Sequence, residues 1–212
     1  MGLLSLLFHN PALFAVLGVM LLYSVIAHEV AHGCVALLFG DDTAKRAGRL
    51  TLNPAPHVDP VGALMLFLVG FGWARPVPVD YRRLRSTRLG LFSVSLAGCA
   101  TNILIAITGI FLLRFESIQA NAILGAALPI LVRINIILGA FNLIPIPPLD
   151  GSKILTSFLP IEAQRAFARL EPFGFPLLIL LLFTGLLNPV ITSMQNLIYS
   201  LIAVIFMGLR PF

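Results

Sequence analysis

The chain has 212 residues, 58% of them hydrophobic and only 11% charged, with a mean hydropathy of +0.99 and a formal net charge of +5. Soluble domains carry about a quarter charged residues, so this composition excludes a soluble fold and predicts an integral membrane protein in a lipid bilayer. The positive charge comes mostly from arginines gathered between apolar runs, where it reports orientation in the bilayer and excludes nucleic acid as a partner. Cys34 and Cys99 both lie in apolar segments, so no disulfide framework is implied.

The start, "MGLLSLLFHNPALFAVLGV", has neither the basic region nor the cleavage site of a secretory signal and reads as a short lead into the first span. A spanning helix needs about 20 apolar residues. The first candidate is Ala12 to Gly40, ended by Gly40 and the acidic pair Asp41 and Asp42. The next apolar run, Val61 to Phe71, is too short to cross and reads as a re-entrant or interfacial element. On its two sides "RLTLNP" and "WARPVPVD" alternate like strands, and the prolines of the second confine it to an edge, so a small hairpin-like sheet is predicted. Leu89 to Leu113 and Ala122 to Ile144 read as spans, the second interrupted by Arg133. "IEAQRAFARLEP" reads as a short amphipathic surface helix, followed by a closing pair of spans, Pro172 to Leu187 and Val190 to Leu209.

The predicted fold class is therefore an all-α polytopic membrane protein forming one domain, with about five spans, a re-entrant element and the small sheet. Lys45, Arg46, Arg49, Arg75, Arg82, Arg83, Arg85 and Arg88 share one loop, and Lys153, Arg165, Arg169 and Arg210 fall on the same side for that span count. The positive-inside rule then puts this side in the cytosol, the N-terminus outside and the C-terminus inside the cell membrane. Arg133 is either a charge lining a polar cavity or a side chain that snorkels to the interface.

The first span carries "HEVAH". Residues four apart share a helix face, so the imidazoles of His28 and His32 can reach one ion, with Glu29 beside them to take a proton from a water on that metal. Two imidazoles suit zinc, which in catalytic sites keeps three protein ligands and an open position. Three ionisable groups in an apolar span are costly without a function, which weighs against a chance pattern. The third ligand has to come from elsewhere, and Asp150 in "FNLIPIPPLDGSKIL" has the distinctive setting. Pro145, Pro147 and Pro148 stop the helix before it and Gly151 turns the chain after it. Unwound membrane segments of this kind build ion sites, although a proline-rich exit loop has the same appearance. His57 is the next candidate ligand.

"HEVAH" in one span and "NLIPIPPLDG" in a later one resemble the site-2 protease family of intramembrane zinc metalloproteases, and "LNPAPHVDPVG" and "GFGWARPVPV" look like its prokaryotic branch. The resemblance covers Ala12 to Ile154 and departs from members with an extra N-terminal span or appended PDZ or CBS domains. It implies that His28, His32 and Asp150 hold Zn2+, that Glu29 is the general base, and that Asn142 helps position substrate or stabilise an oxyanion. The implied substrates are transmembrane proteins, cut within or near a membrane span. Asn53, His57, Trp73, Pro76 and Pro78, around the predicted re-entrant element and edge strand, are the candidate substrate-binding residues; turn and capping roles suit the first two equally. A metal-binding transporter or ion pathway needs no base beside the metal water, and a silent membrane scaffold needs none of the set. Both remain alternatives at this point.

Overall fold

The computed structural model describes residues 8–9, 11–69 and 72–208. Phe71, Leu209 and Arg210, used above to bound elements and assign orientation, lie outside them. The described chain is helical: α1 (Pro11–Leu38), α2 (Thr43–Arg46), α3 (Pro60–Val69), a 3-10 turn (Tyr81–Arg83), α4 (Thr87–Leu112), α5 (Glu116–Ala120), α6 (Ala122–Asn142), α7 (Asp150–Phe158), α8 (Ile161–Phe183) and α9 (Asn188–Gly208).

Four of these helices, not five, are long and apolar enough among the described residues to cross a membrane: Phe14–Leu38 within α1, α4, α6 and α8. The predicted surface helix and fourth span are one element, because α8 runs unbroken from Ile161 to Phe183 through Pro172 and Pro176. At ten residues α3 is about 15 Å long at 1.5 Å per residue, about half the hydrocarbon thickness. Its first turn is closed by Asp59, whose Oδ1 accepts the Gly62 N–H at 2.7 Å.

The predicted sheet is not formed: the described residues contain no strand. Residues 72–80 run as an extended strap, but three of their backbone donors are taken by partners outside any strand. Arg75 N–H donates to the His57 carbonyl at 2.8 Å, Val77 N–H to Glu29 Oε2 at 2.8 Å and Asp80 N–H to Asp41 Oδ2 at 2.7 Å. Pro76 and Pro78 have no N–H to offer. Alternation therefore identified an extended segment without identifying its partners.

The centre is α4, which packs against α1, α6 and α7. Lipid tails are as apolar as leucine, so spans associate by close packing and interhelical hydrogen bonds rather than by escape from water. The sequence provides for both. Gly90, Val94, Gly98, Asn102 and Ala106, every fourth residue of α4, are buried. On α1 the buried residues Ser24, His28, His32 and Ala36 have the same spacing. The two stripes meet antiparallel: His32 reaches Val94, while His28 and the Ser24 carbonyl reach Asn102. Beyond α4, Val132, Ile136 and Ala140 of α6 pack with Ala106 and with Ile198 and Ile202 of α9. Ile144 and Leu149, which bracket the unwound stretch after α6, pack with Leu178 of α8 and Leu187.

Candidate metal centre

The two histidines of α1 face α4, and the first residue of α7 faces both. Asp150 Oδ2 lies 3.1 Å from His28 Nε2 and 3.2 Å from His32 Nε2, and the two Nε2 atoms are 3.1 Å apart. Asp150 arrives there because α6 stops at Asn142 and the proline-rich segment carries the chain around before α7 begins. The turn is tight: a Cβ at Gly151 would stand 2.2 Å from the Leu143 carbonyl oxygen, so only glycine lets α7 start there.

The outer ring nitrogens fix the tautomers. His28 Nδ1 is 2.7 Å from Asn102 Oδ1, and His32 Nδ1 is 2.6 Å from the Val94 carbonyl oxygen. Both partners are oxygens that only accept, so both Nδ1 atoms carry the hydrogen and each neutral ring turns a bare Nε2 lone pair inward. Two lone pairs and a carboxylate oxygen then converge with no hydrogen of their own between them. Acceptors held this close repel unless a cation sits among them, and the three side chains together can hold a metal ion. Gly98 makes room for the rings, since a Cβ there would lie 2.5 Å from His28 Cε1 and from the Nε2 of either histidine.

Glu29, His28, His32 and Asp150 open on one cavity of about 150 Å³, whose other lining residues are Pro76, Val77, Val79, Tyr81, Asn142, Pro148 and Lys153. The Glu29 carboxylate is aimed by the Val77 N–H. Asn142 Nδ2 donates to the Leu138 carbonyl at 3.0 Å while the residue faces the cavity. Lys153 Nζ sits 5.2 Å from the centre of the Tyr81 ring.

Of the remaining sequence candidates, Pro76 lines the cavity and the other four do not. Pro78 is in the strap. Trp73, at the strap's start, packs edge-on against Phe175 of α8 with ring centres 5.0 Å apart. Asn53 is exposed and its Oδ1 accepts the Ala55 N–H at 3.1 Å, a local turn. His57 is fully buried away from the cluster, with Nε2 donating to the Thr51 carbonyl at 2.9 Å. Arg49 Nη2 lies 3.4 Å from His57 Nδ1 and donates to the Arg75 carbonyl at 2.6 Å, so this cluster ties the 49–57 loop to the strap. Arg133 lies on the exposed side of α6, away from any wall of the cavity.

Asp41, beyond the end of α1, fastens the far end of the strap. It is fully buried and accepts from Asp80 N–H, Thr43 N–H and the Thr43 hydroxyl. Burial raises its carboxyl pKa, but the hydrogen bonds from Thr43 and Asp80 and the nearby Arg83 charge outweigh it and hold the group below the usual carboxylate value.

Sequence reasoning missed Ser24, Val94, Gly98, Asn102 and Asn135. The available signal was the spacing of four shared by the polar and small residues of α1 and α4.

The family model described as Peptidase family M50 matches residues 115–185. YwhC of Bacillus subtilis is 39% identical over 197 residues, which cover 90% of each chain. The chain belongs to peptidase family M50, the site-2 proteases. Rip2 of Mycolicibacterium smegmatis is 33% identical over 79% of this chain and 66% of its own length. Both relatives carry the words zinc metalloprotease in their names. No solved structure matches the chain. The protein is thus a multi-pass membrane zinc metalloprotease, with Zn2+ as its cofactor. The converging donors fit that ion in type and size: tetrahedral zinc with bonds of about 2.0–2.1 Å separates its ligand atoms by about 3.3 Å, close to the 3.1–3.2 Å edges of the triangle.

Proposed function

We propose that His28, His32 and Asp150 are the zinc ligands and that Glu29 is the general base in hydrolysis of peptide bonds within or near the membrane spans of protein substrates. The observation that carries this reading is the convergence of the Asp150 carboxylate with two imidazoles whose tautomers are fixed from behind, in one cavity with a carboxylate that is not part of the cluster. When bound, the zinc supplies Lewis-acid polarisation and lowers the pKa of water to roughly 7. Glu29 takes the proton of the attacking water, its carboxylate steadied by the Val77 N–H. Asn142 gives one amide hydrogen to Leu138 and directs the polarity of its side chain at the scissile carbonyl. A membrane helix offers no open amide, so the substrate has to be unwound, and an extended piece lies along Pro76 and Val77 at the cavity wall.

The basic residues between α1 and α4 support the reading that this end of the molecule lies at the cytosolic surface of the cell membrane, with the start of α1 outside. Access of water and release of product then occur from the cytosol.

The test is Glu29→Gln on protein reconstituted with a tagged model membrane span. Zinc content should match wild type while the cleavage rate falls by about 10²–10⁴. Cleavage at the wild-type rate would remove Glu29 from the base role. Transport of the metal by a variant that cleaves nothing would favour an ion pathway.

A further inference from the structure

Ser24 of α1, Asn102 of α4 and Asn135 of α6 are buried polar side chains, one from each of three spans. Groups like these are tolerated at that depth when they satisfy one another, and their order of bonding has a direction. Asn135 Nδ2 is 2.9 Å from the Leu131 carbonyl oxygen, which only accepts, so the nitrogen belongs on that side. The same nitrogen donates to Ser24 Oγ at 2.8 Å. Asn135 Oδ1 therefore faces Asn102 and accepts from its Nδ2 at 2.8 Å, and that nitrogen also lies 3.4 Å from the Ser24 carbonyl. Asn102 is left with its oxygen toward His28 Nδ1. The orientation of one backbone carbonyl on α6 is thus relayed through two amides to an imidazole on α1.

We propose that Asn135, together with Ser24, is a positioning residue for the zinc centre: by fixing which way the Asn102 amide points, the pair holds His28 in the tautomer whose Nε2 is free to bind the metal. This rests on the reading that His28 is a zinc ligand. Without Asn135 only the long 3.4 Å contact to the Ser24 carbonyl holds the Asn102 amide, which can then turn over and present its NH2 to His28. The ring proton then moves to Nε2, where it blocks ligation. His32 has no such dependence, because its Nδ1 is held by the Val94 backbone carbonyl.

The experiment is zinc affinity of the purified full chain in detergent, by competition with a chromogenic chelator, for wild type, Asn135→Leu and Asn135→Asp. Asn135→Leu removes the relay at similar volume and should weaken zinc binding by about 10- to 100-fold. Asn135→Asp restores it in neutral form, its carbonyl accepting from Asn102 and its hydroxyl donating toward Leu131, and should bind zinc as wild type does. A folded Asn135→Leu protein with wild-type zinc affinity would overturn the proposal, since a purely structural role moves stability and not the affinity. Should Asn135→Leu fail to fold, nitrogen-15 spectra of labelled histidine in metal-free wild type decide the matter. The His28 signal, assigned by its loss in His28→Gln, should report a hydrogen on Nδ1, and a hydrogen on Nε2 would overturn the relay. Wild type that binds no zinc would instead sink the ligand assignment, and the spectrum of the metal-free protein would still judge the relay.

Discussion

The two walls of the cavity are built in opposite ways. The helical wall, α1 against α4 with α6 behind, carries the histidines on stripes of small and polar residues whose hydrogen bonds run helix to helix. The strap wall, residues 72–80, has no ladder and no helix; it is held by three backbone donors that end on His57, Glu29 and Asp41. The first arrangement fixes atoms through packed spans. The second fixes a path for the chain while leaving Pro76, Val77 and Val79 along the cavity. The histidine positions depend on the helical wall, and the direction of the Glu29 carboxylate depends on the strap.

Substitutions on each wall should therefore fail differently. The largest effect is expected from Gly98→Ala, whose added methyl would overlap both imidazoles. Zinc affinity should fall by more than about 100-fold, the upper range for losing a ligand's support, in a protein that still folds; chelator competition with circular dichroism checks it. Next is Val77→Pro, which removes the N–H that steadies Glu29. It should leave zinc content unchanged and lower kcat by about tenfold, the equivalent of about 1.4 kcal/mol, measured on the reconstituted protein. Equal zinc loss from both variants would erase the division between the walls.

A smaller effect is expected at the strap's far anchor. Asp41→Asn should cost about 1–3 kcal/mol at neutral pH by replacing a charged acceptor of several buried bonds. Because the folded Asp41 carboxyl is held below its ordinary value, its contribution is complete above the usual carboxylate pKa and is lost as pH falls through the lowered one. Thermal unfolding across pH 3 to 7 should show wild type and Asp41→Asn converging at the acid end. The smallest effect is expected at Asn53, exposed and bonded only within its own turn. Asn53→Ala should change stability and cleavage rate by no more than about 0.5 kcal/mol.

The same contrast explains what the sequence revealed. His28, Glu29 and His32 were legible because four-residue spacing on a helix is local, and Asp150 because prolines and a glycine announce a broken helix. The strap was legible as extended chain, but its partners lie 18 to 48 residues away in sequence and alternation carries no information about them. The predicted hairpin is therefore absent from the described residues. Asn102 sat in the small-residue stripe of α4 and was open to that reading, whereas Asn135 stayed hidden because a lone asparagine in an apolar span has no spacing to betray its partner. Pro172 also misled: it marked a break between a surface helix and a span, and α8 passes straight through it. Proline is tolerated inside a membrane helix where neighbours satisfy the freed carbonyl.

The most direct test is elemental analysis of zinc in purified wild type, His28→Ala and Asp150→Ala, each checked for folding. Wild type should hold about one zinc per chain, as a single catalytic site requires, and both variants should lose it. Zinc retained by a folded Asp150→Ala protein, or missing from folded wild type, would contradict this site assignment.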